Sequence, residues 1–250
     1  MEANPMLQGW SQQVLAGRSV DVFVPQKVTE PKSAVLFLHG HGGIGLTQNE
    51  IFTQEFEQRG FVAVCPDGGQ AWWLDHVCPD FDAQVSPMNW IVDQLMPTLQ
   101  SEFAIAERRT TLLGVSMGGQ GALQLAYRHP LQFPVVAAIA PAIDFHQLHG
   151  MGLPLDQIFP AAEDARQATA VLNLNPMNWP RYQWFCCDPS DVDWIDGNQR
   201  LVMKLSSSGI LHERHFETTF DDPEVAHSWT YFNAMATPAM DHITGALSKL

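Results

Sequence analysis

The chain has 250 residues, 46% of them apolar, with 13 basic against 27 acidic side chains and a formal net charge of −14. A globular chain of this length buries roughly 70 to 75% of its unfolded surface, so the composition supplies one large core and excludes a disordered or disulfide-dependent protein. No basic block offsets the negative charge, which argues against nucleic acid or an anionic membrane as a partner.

The opening segment MEANPMLQGWSQQ has neither the basic start nor the apolar stretch of about 7 to 15 residues that marks a secretory signal. The longest apolar run, 135–143, is interrupted by Pro141 and falls far short of the ~20 residues that span a bilayer. The 4 cysteines, 2 of them adjacent (Cys186, Cys187), fit neither a disulfide framework nor zinc-ligand spacing. The expectation is a cytoplasmic protein of one domain, 1–250, with reduced thiols in its core.

Along the chain, short β-rich apolar runs at 20–24, 34–38, 61–65, 110–115, 135–140 and 182–187 are separated by helical patterns. The helices are expected at 48–59, 89–103, 117–129 and 196–208. Strands that are apolar throughout and spaced by helices predict a mostly parallel sheet covered on both faces, the doubly wound α/β class. Two irregular stretches, 66–87 and 144–180, are candidate pocket walls, because ligands in such sheets bind beyond the carboxyl ends of the strands.

The run 34–38 leads straight into His39-Gly40-His41-Gly42-Gly43. A loop of this form presents backbone N–H groups to a developing oxyanion, and the expected donors are the amides of His41 and Met117. Alternatively the glycines only form a tight turn, with His39 and His41 as buried side chains or metal ligands; a metal would need a third ligand that the spacing does not supply. No metal is expected.

Gly114-Val115-Ser116-Met117-Gly118-Gly119 follows the run 110–115 and opens a helical pattern. A serine on a sharp strand-to-helix turn exposes its hydroxyl, and small residues on either side avoid clashes with neighbouring backbone, so Ser116 is the candidate nucleophile. The bland reading is a glycine-rich turn whose serine caps the helix.

The two motifs together resemble the α/β-hydrolases, in which the nucleophile is followed by an acid after a late strand and then by a histidine. His227 fits the base, because it follows 216–220 and an acidic loop and stands before a final helix; His212, His215 and His242 are expected to be structural. The strand 182–187 ends in Asp188-Pro189-Ser190-Asp191-Val192-Asp193. Asp191, three residues beyond the strand end, is preferred as the carboxylate that orients the histidine; Asp188 and Asp193 remain alternatives.

From about Ser33 onward the sequence resembles the esterase branch that includes esterase D, S-formylglutathione hydrolases and antigen 85-like acyltransferases. The matching pieces are His39 to Gly43, Pro66-Asp67-Gly68 with Trp72-Trp73, Gly114 to Gly119, Asp188 to Asp191 followed by Asn198 to Leu201, and His227-Ser228-Trp229. Members usually carry the acid at the end of a Gly-x-x-Asp turn, which supports Asp191, with Asp188 in place of the glycine. Glycines usually precede their histidine; here Val225-Ala226 stand there, and the oxyanion loop differs from that of formylglutathione-specific enzymes.

The resemblance implies an aromatic wall to the substrate cleft near Trp72 and Trp73, although both rings can equally serve to pack down their loop; Trp229 beside the histidine is a further substrate contact. Cys186 and Cys187 alternate across a strand and are expected in the core.

The implied activity is that of a serine carboxylesterase or thioesterase acting on a small acyl or aryl ester through an acyl-enzyme, without a cofactor. The alternatives are antigen 85-like acyl transfer, S-formylglutathione hydrolysis, and a binding module without activity. The partner would be a small-molecule ester or thioester, and homo-oligomerisation stays open.

Overall fold

The structure is a computed structural model that describes residues 5–106 and 108–250. Its centre is one eight-stranded sheet in the order β1-β2-β4-β3-β5-β6-β7-β8. The strands are β1 (Trp10–Leu15), β2 (Arg18–Phe23), β3 (Ala34–Leu38), β4 (Val62–Pro66), β5 (Thr110–Val115), β6 (Val135–Ile139), β7 (Tyr182–Cys186) and β8 (Glu213–His215). From β4 to β8 every neighbouring pair is parallel; β2 joins β4 antiparallel, and β1 closes the edge as a hairpin with β2.

The helices are α1 (Glu50–Arg59), α2 (Pro87–Trp90), α3 (Met96–Phe103), α4 (Met117–Arg128), α5 (Leu155–Ile158), α6 (Ala162–Gln167), α7 (Ile195–Ser207), α8 (Pro223–Ala226), α9 (Trp229–Ala234) and α10 (Ala236–Leu247). Alternation along the buried strands assigns side chains to two cores. Leu36, Leu38, Leu112 and Phe185 face a cluster that includes Leu99 of α3, Leu123 of α4 and Leu201 and Leu205 of α7. Val35, Phe37, Leu113 and Cys186 face the other side, under Phe52 and Phe56 of α1 and Met240 and Ile243 of α10. The mostly parallel α/β sheet expected from the strand–helix rhythm is observed, and its architecture is the α/β-hydrolase fold that the resemblance implied.

Two differences have physical causes. The strand β1 is absent from the expectation because an edge hairpin exposes half its residues: Trp10 and Leu15 are buried, while Ser11, Gln12 and Val14 are exposed. Its two-residue turn, Ala16-Gly17, has φ of 48° and 77°, the positive values that a tight right-twisting hairpin requires.

The helix expected over 89–103 is continuous but changes pitch at Ile91–Leu95, where the Met96 N–H reaches back to the Ile91 carbonyl. Pro97 follows directly; it lacks an N–H and its ring crowds the carbonyl four residues back, and the wider turn relieves both.

Residues 216–220 form no strand; the pairing to β7 is made by Glu213–His215 instead. The stretch 144–180 holds short elements, Phe145–Leu148, α5, α6 and Ala170–Leu172, and 66–82 is held by turns and one isolated bridge, Cys78 to Asp82.

Candidate active site

Ser116 sits between β5 and α4 at φ 55°, ψ −120°, a backbone conformation a side-chain-bearing residue adopts only under strain. The strain is held by backbone hydrogen bonds: its N–H donates to Ile139 O at 2.9 Å, and its carbonyl accepts from Gln120 N and Ala142 N at 3.0 Å each. The flanking glycines are sterically required. A Cβ on Gly114 would run into the Gly118 carbonyl, and a Cβ on Gly118 into that of Leu38.

His227, at the C-terminal end of α8, comes to Ser116 across the carboxyl ends of the strands. Its Nε2 lies 2.8 Å from Ser116 Oγ, and its Nδ1 lies 2.7 Å from Asp191 Oδ2. An ionised carboxylate only accepts, so Nδ1 carries the proton and Nε2 is free to accept from the serine hydroxyl. Asp191 is 2% exposed. The rings of Trp194 and Phe232 stand against the imidazole, with centroids at 6.0 and 5.4 Å.

The other carboxylates do different things. Asp188, fully buried, accepts the N–H groups of Ser190 and Phe220, both at 2.8 Å, and Asp193 is exposed. Among the remaining histidines, His212 bonds to Ile210 O, His215 to Thr218 Oγ1, and His242 faces Glu213. None of the three is brought to Ser116.

The loop after β3 wraps the opposite side of the serine. Both ring nitrogens of His39 are engaged by backbone: Nδ1–H donates to Gly40 O at 2.8 Å and Nε2 accepts from Gly68 N at 3.0 Å. His39 is thus a strut inside the loop. The His41 ring contacts the Gln70 side-chain amide at 3.3 Å, and burial lowers its pKa, which leaves the ring uncharged at neutral pH. Met117 is the first residue of α4, where amide groups have no acceptor within the helix. Among the described residues no group of three or more His, Cys, Asp or Glu is arranged to hold a metal ion.

A cavity of about 250 Å³ opens above Ser116. Gly40, His41, Gly42, Ile44, Val115, Ser228, Trp229 and Phe232 line it together with Ser116 and His227. Trp229 is therefore on the wall. Trp72 and Trp73 are not: each is 1% exposed and packed against the loop after β3. Trp73 donates from Nε1 to His39 O at 3.1 Å and fills space left by Gly68 and Gly121, and Trp72 stacks on Phe145 with centroids 4.8 Å apart.

The stretches 66–87 and 144–180 thus support the site from below and supply none of the lining residues. Ile44 and Phe232 escaped the sequence reading as cavity residues. The signal for Ile44 was its place directly after the glycines, and for Phe232 its position one helical turn after Trp229.

The family model described as “Putative esterase” matches residues 11–214. Among solved structures, an S-formylglutathione hydrolase from Staphylococcus aureus superposes with a TM-score of 0.76 at 12% identity, covering 96% of this chain and 100% of the other. A ferulic acid esterase gives 0.72 at 14% identity, covering 94% and 97%. MPT51 of Mycobacterium tuberculosis gives 0.68 at 17% identity, covering 96% and 100%. At these identities the superpositions speak for the fold, and the family match over most of the sequence speaks for the lineage: the chain belongs to this esterase family and is an ester-hydrolysing enzyme of α/β-hydrolase fold.

Proposed function

We propose that the protein is a serine esterase that cleaves small, uncharged acyl or aryl esters through an acyl-enzyme on Ser116. The observation that carries this reading is the continuous relay from Ser116 Oγ through His227 to Asp191, with contacts of 2.8 and 2.7 Å.

In the first half-reaction His227 Nε2 takes the Ser116 proton as Oγ attacks the ester carbonyl, and Asp191 stabilises the imidazolium that results. The amides of His41 and Met117 are the donors for the oxyanion of the tetrahedral intermediate. Its collapse transfers the imidazolium proton to the departing alcohol and leaves the acyl group on Ser116. Water then repeats the sequence, with His227 again as base, and releases the acid.

The cavity argues for the substrate class. At about 250 Å³, with Ile44, Val115, Trp229 and Phe232 on its walls, it suits a short acyl chain or a single aryl ring. Among the described residues no Lys or Arg lines it, so a carboxylate-rich leaving group such as glutathione would meet no countercharge there. Thioesters with neutral leaving groups use the same chemistry.

The test is a panel of p-nitrophenyl esters of increasing chain length beside methyl ferulate and S-formylglutathione, combined with fluorophosphonate labelling read by peptide mass spectrometry. The expected result is a label on the Ser116 peptide, absent in Ser116→Ala, and turnover that falls beyond short acyl chains. Labelling elsewhere, or none, would overturn the reading.

A further inference from the structure

A buried thiol outside this scheme lies against its acid. Cys187 directly follows β7 and is fully buried, and its Sγ lies 3.7 Å from Asp191 Oδ2 and 3.7 Å from Asp188 O. Both separations are within reach of a sulfur hydrogen bond. Oδ2 is also the oxygen that accepts the His227 Nδ1 proton, so one carboxylate oxygen stands between the imidazole and the thiol.

The contrast with Asp188 is instructive. That carboxylate receives two backbone amides, whereas the side-chain donors to Asp191 are His227 and Cys187. A carboxylate buried to 2% exposure needs donors to remain ionised, and a thiol is a weak but real one.

We propose that Cys187 is a positioning residue whose S–H donates to Asp191 Oδ2, turns that oxygen toward His227 and draws off part of its charge. The catalytic consequence rests on the relay proposed above; the thiol–carboxylate bond does not. Burial and the adjacent Asp191 charge push the Cys187 thiol well above its ordinary pKa, so the donor keeps its proton throughout the working range.

Titratable groups around His227 come from the loop after β7 (Cys187, Asp188, Asp191), from its own segment (Asp222, Glu224) and, across the cavity, from His41; Trp194 and Phe232 add neutral rings. Without the S–H, more charge on Oδ2 faces the imidazole and favours the imidazolium, while the carboxylate turns more freely. The acid limb of kcat/KM should then move to higher pH.

The experiment compares Cys187→Ala, Cys187→Val and Cys187→Ser for kcat, KM and pH profile, and records the Raman S–H stretching band of the wild type and of Asp191→Asn. Ala and Val should lower kcat by about three- to tenfold with KM unchanged and raise the acid limb by a few tenths of a pH unit, and Ser should restore part of both. The Cys187 band, identified by its loss in Cys187→Ala, should lie at a hydrogen-bonded frequency and shift in Asp191→Asn.

Full activity in Val with loss in Ala alone would mean packing and would overturn the proposal, as would an S–H band indifferent to Asp191→Asn. The Raman result is independent of turnover: a shifted band beside an unlabelled Ser116 would sink the esterase mechanism and leave the thiol–carboxylate bond standing. If the Cys187 variants do not fold, the sensitivity of the folded protein's S–H bands to Asp191→Asn decides the matter.

Discussion

Asp188 joins the loop that carries Asp191 to the loop that leads into His227, because its Oδ1 takes the Ser190 N–H and its Oδ2 the Phe220 N–H, each at 2.8 Å. Asp191, three residues on, spends its Oδ2 on His227 Nδ1 instead. The two neighbouring carboxylates should therefore fail in opposite ways. Asparagine at 188 has one acceptor oxygen for two amides, and the orphaned N–H should cost about 1 to 3 kcal/mol of stability with a modest loss of kcat. Asparagine at 191 should leave stability nearly intact and lower kcat by up to ~10⁴ through the wrong imidazole tautomer. Chemical denaturation beside esterase kinetics separates the two, and the reverse pattern would move the acid to Asp188.

The elbow should tolerate loss of its hydroxyl but not gain of a methyl group on its flank. Ser116→Ala keeps the backbone and should fold normally while losing several orders of magnitude in kcat. Gly118→Ala places a Cβ against the Leu38 carbonyl, which belongs to the central strand β3 and cannot move aside. Its cost should reach about 3 kcal/mol or more, read as a large drop in Tm or as insoluble protein. A Gly118→Ala protein as stable as the wild type would contradict the close approach of α4 to β3.

Tryptophans in the support and on the wall should part company in kinetics. Trp229→Ala opens the cavity and should raise KM for short-chain esters with a small change in Tm, since the ring is partly exposed. Trp73→Phe removes the donor to His39 O from a fully buried site and should cost about 1 kcal/mol of stability while KM stays put. A Trp73 variant with altered KM and unchanged stability would return that ring to the cleft.

Acid should weaken the fold well before its carboxylates protonate. Burial lowers the pKa of His41, His76, His129, His146 and His242, with Glu213 partly opposing the effect at His242. Between those lowered values and the ordinary histidine value of about 6.5, the unfolded chain binds protons that the folded one refuses, so stability rises with pH and falls as pH drops through this window. The urea midpoint should be lower at pH 5.5 than at pH 7.5 with an unchanged slope. A midpoint flat across that interval would mean that these rings protonate freely in the folded protein.

Strands apolar throughout and a helix opening on glycine made β3, β5, β6 and α4 readable in the sequence, along with Ser116, because the same residues that form the elbow also spell the motif. His227 and Asp191 were readable through chain order, and the structure brings both to the serine. The edges were harder. An edge strand such as β1 buries one face and so imitates a polar loop, and β8 is three residues long with two of them exposed. Trp72 and Trp73 were ambiguous because aromatic residues suit a cleft and a core equally, and only the empty space at Gly68 and Gly121, distant from each other in sequence, decides for the core. The contact of Cys187 with Asp191 is short in sequence yet unreadable there, since it depends on how the chain turns after β7.

His227, the capping Ser228 of α9 and two aromatic faces of the cavity all lie within 227–232, with Trp229 and Phe232 in edge contact at 5.6 Å and Phe232 against the imidazole. On the proposed mechanism, affinity and turnover are thus inherited on one short cassette. A substitution that widens the cavity at Phe232 also loosens the histidine, so variants selected for bulkier acyl groups will carry slower chemistry unless a compensating change arises elsewhere. Ile44 lines the same cavity from outside that cassette, so on the proposed mechanism substrate range can drift there without disturbing His227.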